Sequence, residues 1–128
     1  MKIPVDRKYS ETHEWFITEG DIVTIGITQH AADELTDVTY VDLPEVGATL
    51  AASDAIGEVE SVKATSEIFT AVPGEVVEVN TALVEHPELI NEDAFEEGWI
   101  VRLRCESVEP LTALMDAKEY VAFVRNAG

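Results

Sequence analysis

The sequence predicts a mainly β fold that ends in an α-helix. Short apolar or alternating stretches, separated by turn residues, recur along most of the 128 residues. Near the C-terminus the apolar residues change to helical spacing, which indicates an amphipathic helix. Because a chain of 128 residues can close one hydrophobic core, we expect residues 1–128 to form a single domain.

The first predicted elements are two strands, a short helix and a third strand. Residues 14–18 are apolar and aromatic and end at a Glu-Gly-Asp turn signal, and residues 22–28 alternate apolar and polar side chains. Residues 30–35 place apolar side chains at helical spacing, enough for one or two turns. Thr36-Asp37 then ends the helix ahead of a strand over residues 38–43.

Three further strands are predicted in the middle of the chain. Residues 55–62 form the first, and residues 68–72 form the second, which the turn dipeptide Pro73-Gly74 closes. Residues 75–80 form the third. Residues 83–98 are rich in Pro, Asn, Asp and Glu, so we expect a long loop with a short helical turn.

The last part of the chain predicts one more strand and then the helix. Residues 99–105 alternate, and Cys105, the only cysteine, continues this pattern, so it is predicted to be a small core residue rather than a nucleophile. The helix is expected to begin at Glu109-Pro110 or Thr112 and to end at Asn126-Ala127-Gly128.

The charge of the chain restricts its partners. A formal net charge of −18 is opposite to what nucleic acids and anionic membrane surfaces attract. It is compatible with a well-solvated surface and also with a shuttle steered towards basic partners. No apolar run is long enough to span a membrane, and no signal peptide or transit presequence is evident after Met1-Lys2, so we expect a cytoplasmic protein or one already processed.

One lysine is distinctive by its position. Lys63 lies between two predicted strands, whereas Lys2, Lys8 and Lys118 lie in the terminal regions. A tight hairpin would present its amine away from the body, and the neutral neighbours of Lys63 leave that amine unpaired. These properties suit a lysine that a ligase acylates, although an ordinary surface lysine would also fit. The histidines share no metal-ligand spacing, so no metal site is expected.

The residues around Lys63 resemble the lipoylation site of the H protein of the glycine cleavage system. The similarity covers Glu58-Val59-Glu60-Ser61-Val62-Lys63-Ala64 and extends from about Tyr9 to about Phe123. Further matching blocks, in the order of the family, are His13-Glu14-Trp15, Gly26-Ile27-Thr28, Val41 to Gly47, Pro73 to Asn80, Pro87 to Asn91, Gly98-Trp99 and Leu114 to Tyr120. Thr36 departs from the family pattern, which commonly has glycine there.

The resemblance implies a fold, a cofactor and a function. The fold would be a barrel-sandwich hybrid, similar to a lipoyl domain, with a short helix in its N-terminal half and a C-terminal α-helix. Lipoate would be attached to Lys63, and its dithiolane would carry the aminomethyl group of glycine. The chain would be a carrier subunit rather than an enzyme, and a monomer when free.

The resemblance also implies partners and site residues. The partners would be the pyridoxal-phosphate glycine decarboxylase, the tetrahydrofolate-dependent aminomethyltransferase, dihydrolipoyl dehydrogenase, and a lipoate ligase or lipoyl/octanoyl transferase. The loaded arm would fold into a surface cleft, for which Thr12, Glu14 and Glu67 are the candidate residues. Because a carboxylate binds a primary ammonium well, this assignment is chemically reasonable, but both acids could equally be solvated surface residues.

Recognition by the ligase or by partners would fall on the residues next to the lysine, which are Glu60, Ser61, Val62 and Ala64. An H-like lipoyl relay protein, which passes lipoyl groups to other enzymes or serves redox signalling, stays open as an alternative. A biotin carrier is disfavoured because methionines usually flank the lysine there. An independent enzyme is disfavoured because no nucleophile motif, phosphate loop or metal cluster accompanies the carboxylates.

Overall fold

The chain forms two antiparallel sheets and four α-helices in a computed structural model that describes residues 3–127. The strands, numbered along the chain, are β1 (Lys8–Tyr9), β2 (Glu14–Glu19), β3 (Ile22–Ile27), β4 (Val38–Asp42), β5 (Thr49–Leu50), β6 (Ala55–Ser61), β7 (Thr65–Phe69), β8 (Gly74–Val79) and β9 (Val101–Arg104). The helices are α1 (Gln29–Leu35), α2 (Ala82–Glu85), α3 (Leu89–Glu92) and α4 (Ala117–Ala127), and a 3-10 helix covers Glu109–Ala113.

The two sheets differ in their number of strands. One sheet has six strands in the order β1-β2-β3-β9-β8-β5, and the other has three in the order β4-β6-β7. The prediction of a mainly β fold with a short helix in the N-terminal half and a C-terminal α-helix is confirmed. The predictions about the N-terminus and about the end of the C-terminal helix extend to Met1, Lys2 and Gly128. These three residues lie outside the described part of the chain. No helix within residues 3–127 is long and apolar enough to cross a bilayer.

The main hydrophobic core contains residues of both sheets. Ile25 of β3 and Leu103 of β9 belong to the same buried cluster as Val59 of β6 and Ile68 of β7. Cys105 is also in this cluster, as its place in the alternating pattern predicts. A second cluster lies under α4 and is formed by the buried residues Tyr9, Trp15, Ala117 and Tyr120. Burial of the first cluster holds the three-stranded sheet against the six-stranded one, and burial of the second holds α4 against β1 and β2.

The strand that follows Lys63 begins earlier than predicted. The apolar pattern predicts a strand from Ile68, but β7 already begins at Thr65. Thr65 pairs with Glu60 and Glu67 pairs with Glu58, and β7 is the edge of its sheet. The residues that begin β7 are exposed polar residues, so hydrophobic alternation does not reveal them. As a result, the turn that carries Lys63 is tighter than the sequence indicates.

The C-terminal helix begins later than predicted. The chain does not continue from the 3-10 helix into α4, because the backbone of Met115 forms a bridge with Tyr9 through N–O distances of 2.8 and 3.0 Å. A capping box then starts α4. The amide of Glu119 donates to the Asp116 carboxylate at 2.8 Å, and the amide of Asp116 donates to the Glu119 carboxylate at 3.0 Å. The tertiary bridge to β1 therefore overrides the helical periodicity.

Candidate functional site

The turn between β6 and β7 displays Lys63 on a well-defined backbone. The Ser61 hydroxyl accepts hydrogen bonds from the amides of Lys63 at 3.2 Å and Ala64 at 3.0 Å. The amide of Ser61 donates to the carbonyl of Ala64 at 2.8 Å, and the amide of Val62 donates to the carbonyl of Asp37 at 3.1 Å. These bonds fix the turn from both sides, so the lysine side chain projects from a rigid support.

The amine of Lys63 is exposed and is not held by a carboxylate. Lys63 is an exposed residue, and it takes part in none of the ion pairs found within residues 3–127. Its Nζ donates a hydrogen bond to the backbone carbonyl of Glu34 near the end of α1, at 3.1 Å. The Glu34 carboxylate instead lies 3.4 Å from Nε2 of His30. The amine is therefore accessible, and its one hydrogen-bond acceptor is a backbone carbonyl.

A cleft opens beside this lysine, between α1 and the β6–β7 hairpin. Its volume is about 550 Å³, which falls within the range of about 300–1,000 Å³ common for small-molecule sites. The structure brings Thr12, Glu14, Lys63 and Glu67 together around it. Leu35, Val59 and Ile68 supply apolar wall, and Val124 of α4 closes one side. An acyl chain attached to Lys63 would find both apolar surface and a buried carboxylate within this cleft.

Glu14 is the buried carboxylate of the cleft. Only 1% of the residue is exposed. One carboxylate oxygen accepts hydrogen bonds from the hydroxyls of Ser10, at 2.5 Å, and Thr12, and the other accepts from the amide of Phe69 at 3.2 Å. Burial raises the pKa of the Glu14 carboxyl, while these hydrogen bonds act in the opposite direction. Interpreting Glu14 as a solvated surface acid is therefore wrong, because its oxygens are enclosed by protein donors.

Glu67 differs from Glu14 in both exposure and contacts. It is exposed on the edge strand β7, and it lies opposite Glu58 in the β6–β7 register. Its neighbour Ser66 is exposed as well, although Ser66 pairs with the buried Val59. Among the hydrogen bonds within residues 3–127, none involves the Glu67 carboxylate. Glu67 thus lies at the rim of the cleft, whereas the Thr12 hydroxyl donates a hydrogen bond to the Glu14 carboxylate inside it.

The four residues predicted to be read by a ligase surround the turn. Val62 is 70% exposed, and Glu60 and Ala64 are exposed as well. Ser61 is partly buried and uses its side chain to support the turn. An approaching protein would therefore meet the side chains of Glu60, Val62 and Ala64 next to the lysine, while Ser61 acts through the backbone geometry.

Two histidines at the cleft escape prediction from the sequence. The rings of His13 and His30 lie with centroids 4.8 Å apart, and both residues line the cleft. His13 Nδ1 is 2.7 Å from the hydroxyl of Tyr120 in α4. Burial and the neighbouring His30 hold the pKa of His13 below its ordinary value, against an opposing effect of Glu34. The contact depends on how α1 packs against the loop before β2, so no linear spacing could reveal it.

The donor set of the site is suited to an organic group rather than to a metal. Within the described part of the chain, no group of three or more His, Cys, Asp or Glu residues is placed to hold a metal ion. The exposed amine of Lys63, the apolar walls and the enclosed carboxylate of Glu14 match an acyl arm whose far end carries a cation. The residues present therefore fit a lipoyl group on Lys63.

Comparison with known proteins decides the family. A sequence model of the glycine cleavage H-protein family matches residues 7–127. The chain belongs to this family. The glycine cleavage system H protein of Thermus thermophilus is 52% identical over 120 residues, which are 94% of this chain and 94% of that protein. In Arabidopsis thaliana, glycine cleavage system H protein 3, mitochondrial, is 49% identical over 116 residues, which are 91% of this chain and 70% of that protein.

A solved structure shows that the glycine cleavage H-protein fold is also shared. The crystal structure of a glycine cleavage system H protein from Mycobacterium marinum aligns with a TM-score of 0.86 and 39% sequence identity, and the alignment covers 98% of this chain and 100% of that one. The family indicated by the sequence and the predicted fold, a barrel-sandwich of the lipoyl-domain type, are thereby confirmed.

Proposed function

We propose that Lys63 carries a covalently attached lipoyl group and that the chain, as an H protein of the glycine cleavage system, uses it to shuttle an aminomethyl group. The group passes from the pyridoxal-phosphate glycine decarboxylase to the tetrahydrofolate-dependent aminomethyltransferase. The observation that carries this proposal is the position of the exposed Lys63 amine beside a cleft that contains an enclosed carboxylate. In this role the chain is a carrier subunit and works as one domain.

When attached, the lipoyl group supplies a disulfide that accepts the aminomethyl carbon and is regenerated by dihydrolipoyl dehydrogenase. The protein supplies the rest. The Ser61-supported turn holds the attachment point, and the cleft walls receive the arm. Acylation removes the charge of the Lys63 amine, so the attached arm enters the apolar cleft without burying an ammonium at its root.

The Glu14 carboxylate is proposed to hold the cationic end of the loaded arm. Its two oxygens have three protein donors, and the free lone pairs of a carboxylate can accept further hydrogen bonds from an ammonium. In a site screened from water this pair is a strong, charge-assisted contact. Thr12 orients the carboxylate, and Glu67 adds negative charge at the rim.

A lipoate ligase or a lipoyl/octanoyl transferase is proposed to acylate Lys63 by recognising the turn through Glu60, Val62 and Ala64. These three residues are exposed next to the lysine, and Ser61 holds the backbone in position. We further propose that the carrier is a monomer when free and works in the cytoplasm. The net charge of −18 keeps free copies apart by mutual repulsion.

Mass spectrometry of the protein from its native source tests the attachment. A lipoyl mass increment on the intact chain, mapped to the peptide that contains Lys63, is expected and should disappear in Lys63→Arg. Lys118→Arg is the matched control, because it changes an exposed lysine on α4 and should keep the increment. An unmodified Lys63 in the native protein would refute the proposal.

Reconstitution separates the aminomethyl carrier from an H-like lipoyl relay. The lipoylated chain, mixed with the partner decarboxylase, aminomethyltransferase and dehydrogenase, should support glycine cleavage, and Lys63→Arg should fold normally and support none. A lipoylated chain that transfers its lipoyl group to other proteins but does not support glycine cleavage would favour the relay instead.

A further inference from the structure

The C-terminal end of α1 forms one wall of the cleft, and its backbone carbonyls have specific partners. The last four backbone carbonyls of a helix receive no hydrogen bond from an amide of the same helix, so each needs another donor. In α1 the carbonyl of Asp33 accepts from the amide of Thr36, and that of Leu35 accepts from the Thr36 hydroxyl. The carbonyl of Ala32 accepts from the side-chain amide of Asn91 at 3.3 Å, and that of Glu34 accepts from Nζ of Lys63.

Asn91 connects this wall to α3 behind it. Its Nδ2 donates to the carbonyl of Thr36 at 2.6 Å as well as to that of Ala32, and its Oδ1 accepts from the amide of Val38 at 2.8 Å. Its own backbone carbonyl accepts from the side-chain amide of Gln29 at 2.8 Å. One residue of α3 therefore holds the start of α1, its last turn, the residue after it and the first residue of β4.

The contact between Lys63 and Glu34 can persist when the lysine is acylated. An amine that becomes an amide loses its charge but keeps one N–H on Nζ, and that N–H can still donate to the carbonyl of Glu34. A bond from Nζ to this carbonyl would keep the first acyl atoms beside the end of α1, where His30, Ala31 and Leu35 line the cleft. The position of the carbonyl would therefore limit where the arm can begin.

We propose that Asn91 is a positioning residue for the carrier arm. It fixes the end of α1 so that the Glu34 carbonyl accepts a hydrogen bond from Nζ of Lys63, and this bond directs the arm into the cleft. The inference rests on the proposed attachment of the arm to Lys63. Asn91 itself does not line the cleft, and it acts through α1.

Hydrogen exchange at the acylated lysine tests the proposal directly. The full chain is prepared with a lipoyl group on Lys63 and a ¹⁵N label at Nζ, and a second sample carries an acetyl group instead. Because a hydrogen bond protects a donor by the equivalent of its net free energy, the Nζ–H of the wild-type chain should exchange about 2- to 10-fold more slowly than that of free N-acetyl-lysine. In Asn91→Ala this protection should be lost.

Asn80→Ala is the matched control. Asn80 also donates its side-chain amide to two backbone carbonyls, those of Glu97 and Trp99, both at 2.8 Å, and its Oδ1 accepts from the amide of Ala82. It holds a segment that does not line the cleft. Asn80→Ala should therefore destabilise the fold to a similar degree but leave the protection of Nζ–H unchanged.

Asn91→Asp keeps the test decisive if Asn91→Ala does not fold. The aspartate retains an acceptor for the amide of Val38 but has no donor for the carbonyls of Ala32 and Thr36. It should lose the protection while remaining folded, as judged by its backbone amide spectrum. Equal loss of protection in Asn91→Asp and Asn80→Ala would overturn the proposal, as would an unprotected Nζ–H in the wild-type chain.

The acetylated sample separates this inference from the proposed function. If native protein carries no lipoyl group on Lys63, the carrier proposal fails, but exchange at an acetylated Nζ still reports whether Asn91 positions that nitrogen. If the lipoyl group is present and the acylated Nζ–H is unprotected, the carrier proposal stands and the role of Asn91 is refuted.

Discussion

The hydroxyl of Tyr120 lies 2.7 Å from Nδ1 of His13, and this contact ties the C-terminal helix to the loop that begins the cleft. The same hydroxyl is 2.8 Å from the hydroxyl of Thr28, which accepts a hydrogen bond from the amide of Ala31 at the start of α1. One phenol thus joins α4, α1 and the loop before β2. The shape of the cleft depends on a small buried polar network as well as on apolar packing.

His13 makes stability depend on pH near neutrality. Its pKa in the folded chain is below the ordinary value of 6.5, mainly because of burial and then because of His30, whereas Glu34 opposes the shift. As the pH falls, His13 is therefore protonated at a higher pH in the unfolded chain than in the folded chain. The stability that neutral His13 contributes is fully present above about pH 6.5 and is lost as the pH falls through the lower folded-state pKa.

The variant His13→Asn should remove this pH dependence. Asparagine is suitable because His13 has a φ of 69°, a left-handed conformation that Asn tolerates well. Urea unfolding between pH 7.5 and 5 should show the wild-type free energy of unfolding falling relative to that of His13→Asn. His86→Asn, which changes a histidine with 65% of its side chain exposed, should follow the wild type. Parallel curves for all three proteins would contradict the prediction.

Thr36 is a strained residue whose replacement by glycine should stabilise the chain. Its backbone has a φ of 61° and a ψ of −148°, a region in which a β-branched residue is disfavoured by about 1–3 kcal/mol. Glycine adopts this conformation freely, but it makes the unfolded chain more flexible. This offsets part of the gain in stability. Thr36→Gly should raise the free energy of unfolding by about 1 kcal/mol.

Thr36→Ala is the control, because alanine still has a Cβ in the left-handed region and should give no gain. Both variants lose the hydrogen bond from the Thr36 hydroxyl to the carbonyl of Leu35, so their difference isolates the backbone strain. Chemical denaturation measures the two values. If alanine stabilised the chain as much as glycine, the strain at Thr36 would not be the cause.

The sequence predicts the scaffold of the site better than its interior. The turn with Lys63 follows from the strands on both sides of it and from the neutral neighbours of the lysine. The start of β7 at Thr65 does not follow, because an edge strand needs no apolar alternation. Likewise α4 begins after Met115 rather than at Glu109-Pro110 or Thr112, since the pairing of Met115 with Tyr9 is a long-range contact.

The distinction between Glu14 and Glu67 is invisible in the sequence. In a chain with 26 acidic residues, neither composition nor spacing separates an enclosed carboxylate from an exposed one. The enclosure of Glu14 depends on the Ser10 and Thr12 hydroxyls, which are close in sequence, and on the amide of Phe69, which is brought by the fold. Local polar residues can suggest such a site, but only tertiary structure completes it.

Gly57 should not tolerate a side chain. A Cβ at this position would overlap the carbonyl oxygen of Asp42, where β4 pairs with β6. Because backbone cannot move as a side-chain tip can, Gly57→Ala should destabilise the fold by about 2 kcal/mol or more. The neighbouring variant Glu58→Ala adds no atom to the interface and should change stability by less than about 1 kcal/mol. Thermal unfolding of both proteins measures the contrast, and equal effects would refute the steric explanation.

The carboxylate of Glu14 should lower the stability of the fold as the pH rises, although it holds the cargo. Burial raises its folded-state pKa above the ordinary value of 4.5, so the folded chain binds the proton more tightly than the unfolded chain does. The stability contributed by the protonated form is fully present below pH 4.5 and declines as the pH rises through the raised pKa. Glu14→Gln, which stays neutral, should therefore gain stability relative to the wild type between pH 4.5 and 7.

The same substitution should weaken retention of the aminomethyl cargo, because a hydrogen bond to a charged group contributes about 1.5–3 kcal/mol. We expect the loaded, lipoylated Glu14→Gln chain to release ammonia about 10-fold faster or more than the wild type in the absence of the aminomethyltransferase. Glu67→Gln, at the exposed rim, should have a much smaller effect because solvent screens its charge. An equal or larger effect at Glu67 would place the cation at the rim and not at the enclosed carboxylate.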